Sequence, residues 1–171
     1  MNDCLHHSQR IHFTESILFI FTRFLKSFRM ALLEKWLVVK KSKIPNAGKG
    51  LFTKKFIPKG TRIVEYKGRI TNWKEMKYAW ENGYIYNINN NHVIDASRTL
   101  KALARYANDA RGISRVKGVR NNCVYINDGL RAYIESIKDI EAGSEILVDY
   151  GKDYWDTVRE NMRIDKRNAA K

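Results

Sequence analysis

Apolar positions along this chain come in short runs broken by glycine, proline and asparagine, the rhythm of a domain made of many brief strands. Trp36 to Lys40 (WLVVK) is apolar and β-branched and reads as a strand. Ser42 to Gly50 has the Pro, Asn and Gly punctuation of a loop. Strands are expected again at Leu51 to Phe56 and Ile63 to Tyr66. Asn72 to Asn82 reads as a short helix capped by Asn72, with Trp73, Met76, Lys77 and Trp80 along one side. Tyr84 to Ile88 and Val93 to Asp95 form a hairpin pattern around a polar Asn-Asn-Asn-His tip. Leu100 to Ala107 is short helical or irregular, and Gly112 to Gly118 is a basic loop. Val124 to Asn127 and Ala132 to Ile137 flank the turn Asn127-Asp128-Gly129, where positive φ is cheap. Two apolar strands around Gly143 follow, and Asp153 to Arg163 closes the pattern as a helix.

The expected class is therefore mostly β (α+β), with small sheets and few short helices. Strands do not alternate with long helices, which argues against a doubly wound nucleotide-binding fold. One internal echo stands out. Phe56 to Gly68 (FIPKGTRIVEYKG) and Ile137 to Gly151 (IKDIEAGSEILVDYG) each read as strand, glycine turn, and second strand ending in tyrosine and glycine.

Composition narrows the picture. The 171 residues, 44% of them hydrophobic, suit one globular domain. Residues 1–29 differ: the run from Ile17 to Phe28 is interrupted by Arg23 and Lys26. It is too short to span a membrane and lacks a secretory cleavage pattern, so an extension outside the domain is expected there, with the domain over 30–158 and a basic tail over 159–171. Cys4 and Cys123 form no CxxC pair, which points to a reducing, cytoplasmic setting and to no structural metal. The formal charge is +14. From Lys40 to Arg69 ten Lys or Arg stand against the single acid Glu65, a bias that favours polyanions such as nucleic acid and disfavours a very basic peptide partner. A solvated, solubilising face is the plainer reading of the same charges.

Four blocks in this order carry a resemblance: Ser42 to Phe52 (SKIPNAGKGLF), Gly83 to Ser97 (GYIYNINNNHVIDAS), Ala104 to Ala110 (ARYANDA) and Glu145 to Gly151 (EILVDYG). Together they resemble the SET domain, the fold of a large class of protein lysine methyltransferases, over about Trp36 to Trp155. The resemblance implies a β-clip of small curved sheets with a C-terminal pseudoknot, and S-adenosyl-L-methionine as cofactor. It places Gly48, Lys49 and Gly50 in the cofactor loop, and Arg105, Asn108 and Asp109 in the block that fixes the cofactor's amino and carboxylate end. Tyr150 aligns on the catalytic tyrosine, and Tyr84 on a residue lining the lysine channel and the cofactor, while Tyr86 packs inward. Asp95 is read as structural.

The chain departs from the family at Asp109 and Ala110, where His and Ser usually stand, and in the loop before Asn121 to Cys123. Such insertions resemble the PR-type branch and short bacterial relatives. The three post-SET cysteines are missing; Tyr154 or Trp155 is expected to cover the adenine instead, with Trp155 preferred. Taken alone, Asn108 suits a turn cap, Tyr150 and Trp155 suit core aromatics, and Cys123 suits a buried thiol. The implied protein is a monomer or weak dimer acting on a lysine of a protein substrate, a DNA-associated one among the candidates. A silent SET-like module binding nucleic acid or a protein is the alternative.

Overall fold

The computed structural model describes residues 32–76 and 82–170. Nine strands form three antiparallel three-stranded sheets among these residues. The first holds β1 (Leu37–Lys41), β2 (Lys49–Thr53) and β9 (Glu145–Ile146) in the order β1-β2-β9. The second holds β3 (Arg62–Glu65), β7 (Cys123–Asp128) and β8 (Arg131–Ser136) in the order β3-β8-β7. The third holds β4 (Arg69–Thr71), β5 (Ile85–Asn89) and β6 (His92–Asp95), with β6 central. A 3-10 turn at Leu103–Tyr106 and a C-terminal helix, α1 (Lys152–Ala169), complete the frame.

The sequence echo is built into the backbone as a local pseudo-two-fold. Ile57 and Ile140 exchange both main-chain hydrogen bonds at 2.9 Å. Gly60 N–H donates to Ser136 O, and its counterpart Gly143 N–H donates to Thr53 O, each at 2.8 Å. Ser136 N–H reaches Thr61 O, and Thr53 N–H reaches Ser144 O. Both glycines sit at φ near +80°, a conformation that costs a side-chain-bearing residue about 1–2 kcal/mol. Each echo unit is a hairpin followed by a third strand, and the third strands are exchanged: β3 joins the β7–β8 hairpin and β9 joins the β1–β2 hairpin.

Exchange interlocks the sheets around one core. Leu51, Ile57, Ile63, Ile134, Ile146 and Val148 are fully buried there, and each buried aliphatic side chain is worth about 1.5–3 kcal/mol relative to exposure. After β9 the chain does not continue in its sheet. Leu147 O accepts from the N–H groups of Asn122 and Cys123, while Val148 N–H donates to Asn108 O. The segment is thus held between the two ends of the 108–123 connection, which gives the pseudoknot that the family resemblance implies.

Some boundaries differ from those expected. Glu34–Trp36 forms a 3-10 turn, so β1 starts at Leu37. β2 stops at Thr53, whose hydroxyl donates to Lys55 O and accepts from Lys55 N–H, turning the chain before Phe56. The C-terminal helix runs to Ala169 instead of ending at Arg163, with ion pairs Arg163–Glu160 and Arg167–Glu160 along the added turns. Asn72 Oδ1 accepts from Glu75 N–H at 3.1 Å, closing a turn over 72–75. The rest of the expected helix, with Lys77 and Trp80, lies outside the described residues, as does the expected 1–29 extension.

Candidate functional site

The loop before β2 is shaped by a buried carboxylate. Glu145, at the start of β9, accepts from Ser42 Oγ at 2.6 Å, Lys43 N–H at 2.8 Å and Asn108 Nδ2 at 3.2 Å. A Cβ at Gly50 would collide with Glu145 Oε1, so glycine is required there to admit the carboxylate. Sequence reading assigned Gly50 to close cofactor approach; its neighbour in the fold is Glu145, and Gly48 and Lys49 are the members of the triplet that line the groove. Gly48 has φ of +68°, which fits its place in the tight turn. Asn108 Nδ2 also donates to Lys49 O at 3.0 Å. It is therefore the clamp between the glycine loop and the pseudoknot, and neither bond uses its Oδ1.

Asp109 is a second buried fastener, only 4% exposed. Its carboxylate accepts from Arg111 N–H, Asn121 Nδ2, Tyr150 N–H and Trp155 Nε1 at 2.7–2.9 Å. The departure from histidine thus leaves no gap: an acceptor-only side chain collects four donors from the loop, the threaded strand and the helix. Trp155 is seated by that bond, stacks on Tyr150 with centroids 5.9 Å apart and packs against Gly112.

Two connected spaces result. A groove of about 800 Å³ runs past Gly48, Lys49, Asn108, Tyr84, Trp155 and Met162. A narrow cavity of about 90 Å³ is walled by Tyr66, Tyr86, Tyr125, Tyr150 and Tyr154. Gly83, Arg105, Tyr150 and Tyr154 belong to both, so the spaces meet there. The groove lies within the ~300–1,000 Å³ usual for small-molecule sites.

Tyr150 donates its hydroxyl to Ala107 O at 2.7 Å, which leaves the oxygen's lone pairs free to accept. Burial pushes the Tyr150, Tyr66 and Tyr125 hydroxyls well above the ordinary tyrosine range. They stay protonated at neutral pH and act as neutral dipoles, not as bases. Tyr86 is raised by burial as well; its hydroxyl donates to Asn127 Oδ1 at 2.9 Å.

Tyr84 and Tyr86 divide between the two spaces. Tyr84 lies on the groove, 41% exposed, under the Arg105 guanidinium at 3.9 Å, while Tyr86 lines the narrow cavity. Arg105 also donates to Ser97 O and lies over Tyr106, so its charge is spread across two rings at the junction. Asp95 accepts from Asn82 and Ser97 as a structural group. Cys123 is fully buried and its thiol is pushed up to about 12 by burial, as suits a core residue. Sequence reading missed Glu145, Tyr66 and Tyr125; only the glycine at position 50 hinted at a buried neighbour. Among the described residues no group of three His, Cys, Asp or Glu converges as a metal site.

A pseudoknotted set of small antiparallel sheets with a groove opening onto a tyrosine-walled cavity defines a narrow class of β folds. The SET domain family model matches residues 48–151, and the chain belongs to that family. Among curated proteins, it is 34% identical over 116 residues to human "Histone-lysine N-methyltransferase 2D", covering 64% of this chain and 2% of that protein. It is 31% identical over 133 residues to "Histone-lysine N-methyltransferase set-17" of Caenorhabditis elegans, covering 75% of this chain and 45% of that protein. The chain thus spans less than half the length of these relatives. The solved methyltransferase domain of human PR domain-containing protein 2 shares the fold, with TM-score 0.52 and 24% identity over 68% of this chain and 78% of that one.

Proposed function

We propose that the chain is a protein-lysine N-methyltransferase that takes S-adenosyl-L-methionine in the groove and a substrate lysine in the tyrosine-walled cavity. The observation that carries this reading is the junction: groove and cavity meet at Tyr150, whose hydroxyl is held by Ala107 O. The residues present fit such a cofactor. Asn108 and the Lys49 main chain offer polar groups to its amino-acid end, and Trp155 and Met162 offer apolar surface to its base. When bound, the cofactor supplies a sulfonium methyl group as electrophile.

The protein's own part is positional. A narrow, poorly hydrated cavity disfavours the ammonium form of an entering lysine, so the neutral amine that can act as nucleophile is the better guest. Tyr150 Oη accepts from that amine and fixes its direction, and the remaining tyrosines exclude water. No tyrosine serves as base, since burial keeps each hydroxyl on the cavity protonated. The family relatives named for histone-lysine methylation and the excess of positive charge together support a protein substrate, including one that travels with a polyanion.

Incubating the full chain with methyl-labelled cofactor and a fractionated protein extract tests the proposal. Label transferred to lysine and lost in Tyr150→Phe supports it. A folded protein that transfers none, yet binds a partner through its surface, supports a silent module instead.

A further inference from the structure

A second cleft of about 540 Å³ adjoins the groove, sharing Gly48, Lys49, Leu100 and Tyr106 with it, and lies between the β1–β2 hairpin and the segment leading into the 3-10 turn. Val39 and Leu103 give it an apolar floor, the exposed Leu100 stands at its edge, and its rim carries Lys40, Lys41, Lys49 and Lys101. The strand register makes this arrangement costly. Lys41 and Lys49 are directly opposite each other on antiparallel strands, where side chains start about 4.5–5.5 Å apart and like charges repel. Among the described residues, none of the four lysines has a carboxylate within ion-pair distance, whereas Arg62, Lys67, Arg111 and Arg131 each do. The buried acid on the strand next to β2, Glu145, spends its oxygens on Ser42, Lys43 N–H and Asn108.

We infer that this cleft is a binding site for the phosphate backbone of a nucleic acid strand. Lys41, Lys49 and Lys101 are mobile point charges of the kind that can follow a line of phosphates, while Lys40 lies over the Phe52 ring at 4.8 Å. The same hairpin offers an aromatic at its other end. Trp36 is 39% exposed, just before β1, and Lys35 and Lys55 lie over its ring at 5.4 and 5.1 Å. An aromatic beside a row of lysines is the composition of sequence-tolerant strand binders, where bases stack and phosphates meet ammonium groups; at Trp36 a stacking base would take the place of a lysine over the ring. Lys40, Lys41 and Lys101 line this cleft and not the groove, whereas Lys49 lines both, so Lys41 and Lys101 can be changed without touching the groove.

The test is fluorescence anisotropy of a labelled single-stranded oligonucleotide of mixed sequence, titrated with the full chain across a salt series. Lys41→Glu/Lys101→Glu is compared with Lys74→Glu/Lys138→Glu, a control that changes net charge equally and touches neither cleft nor groove. The expected result is salt-dependent binding that the cleft pair weakens on the order of tenfold, with the slope against salt falling by about 0.7 for each phosphate no longer neutralised. The control pair should do much less. Equal weakening by both pairs would overturn the cleft in favour of diffuse charge. Absence of oligonucleotide binding, or binding of poly-glutamate with the same dependence on Lys41 and Lys101, would overturn the nucleic acid assignment. Melting curves keep the outcome readable, because removing the Lys41–Lys49 repulsion should leave the fold intact or firmer.

Discussion

Glu145 occupies the space that a side chain at Gly50 would need, and from there it ties Ser42, Lys43 and Asn108 together. A buried carboxylate thus shapes the loop over the candidate cofactor groove. Gly50→Ala should evict it and leave Lys43 N–H and Asn108 Nδ2 short of an acceptor. The expected loss is about 1–3 kcal/mol in urea denaturation, the penalty for an unsatisfied buried polar group. Unchanged stability would mean that the loop does not depend on the latch.

Asp109 replaces the histidine usual in the family, yet it holds four donors, including the indole of Trp155. Restoring the family residue by Asp109→His should therefore harm the protein. An imidazole cannot accept four hydrogen bonds. We expect a lower melting temperature and a changed tryptophan emission spectrum, with cofactor affinity reduced about tenfold, equivalent to about 1.4 kcal/mol.

Tyr150→Phe removes the hydroxyl that faces the cavity and its bond to Ala107 O. In the proposed reaction it should cut kcat by about 10²-fold or more while leaving cofactor affinity within a few-fold, because the ring that stacks on Trp155 remains. Steady-state kinetics beside calorimetry separates the two effects. The pH-rate profile of the native protein should show no tyrosine ionisation near neutrality.

Burial raises Cys123 from near 9 to about 12, and raises the cavity tyrosines above their ordinary value. The unfolded chain ionises first in each case, so it binds fewer protons than the native state once pH passes these ordinary values. Stability should be flat at neutral pH and fall from about pH 9 upward, first through the thiol and then, above about pH 10, through the tyrosines. Cys123→Ala should move the onset of that decline upward in urea midpoints measured against pH.

Much of this was legible along the chain because it is local. The Asn127-Asp128-Gly129 hairpin, the echo at Gly60 and Gly143, and the glycine and tyrosine motifs all depend on near neighbours in sequence. What joins them does not. Nothing in the strand pattern shows that β3 and β9 change partners, since each pairs with a strand distant in sequence. Glu145 reads as an ordinary polar position beside an apolar run; its role depends on Ser42 and Asn108, which approach only after threading. Tyr66, Tyr86, Tyr125 and Tyr150 come from four separate segments and meet only in the folded chain. Local chemistry sets turns and caps, whereas the walls of a site are set by register.

Isothermal titration of the full chain with S-adenosyl-L-methionine, alongside Asn108→Ala, decides whether the groove is a cofactor site. Saturable binding at one site per chain is expected, weakened when the Asn108 clamp on Lys49 and Glu145 is removed. Absence of heat from a protein shown to be folded, or equal binding by the two proteins, would contradict that assignment.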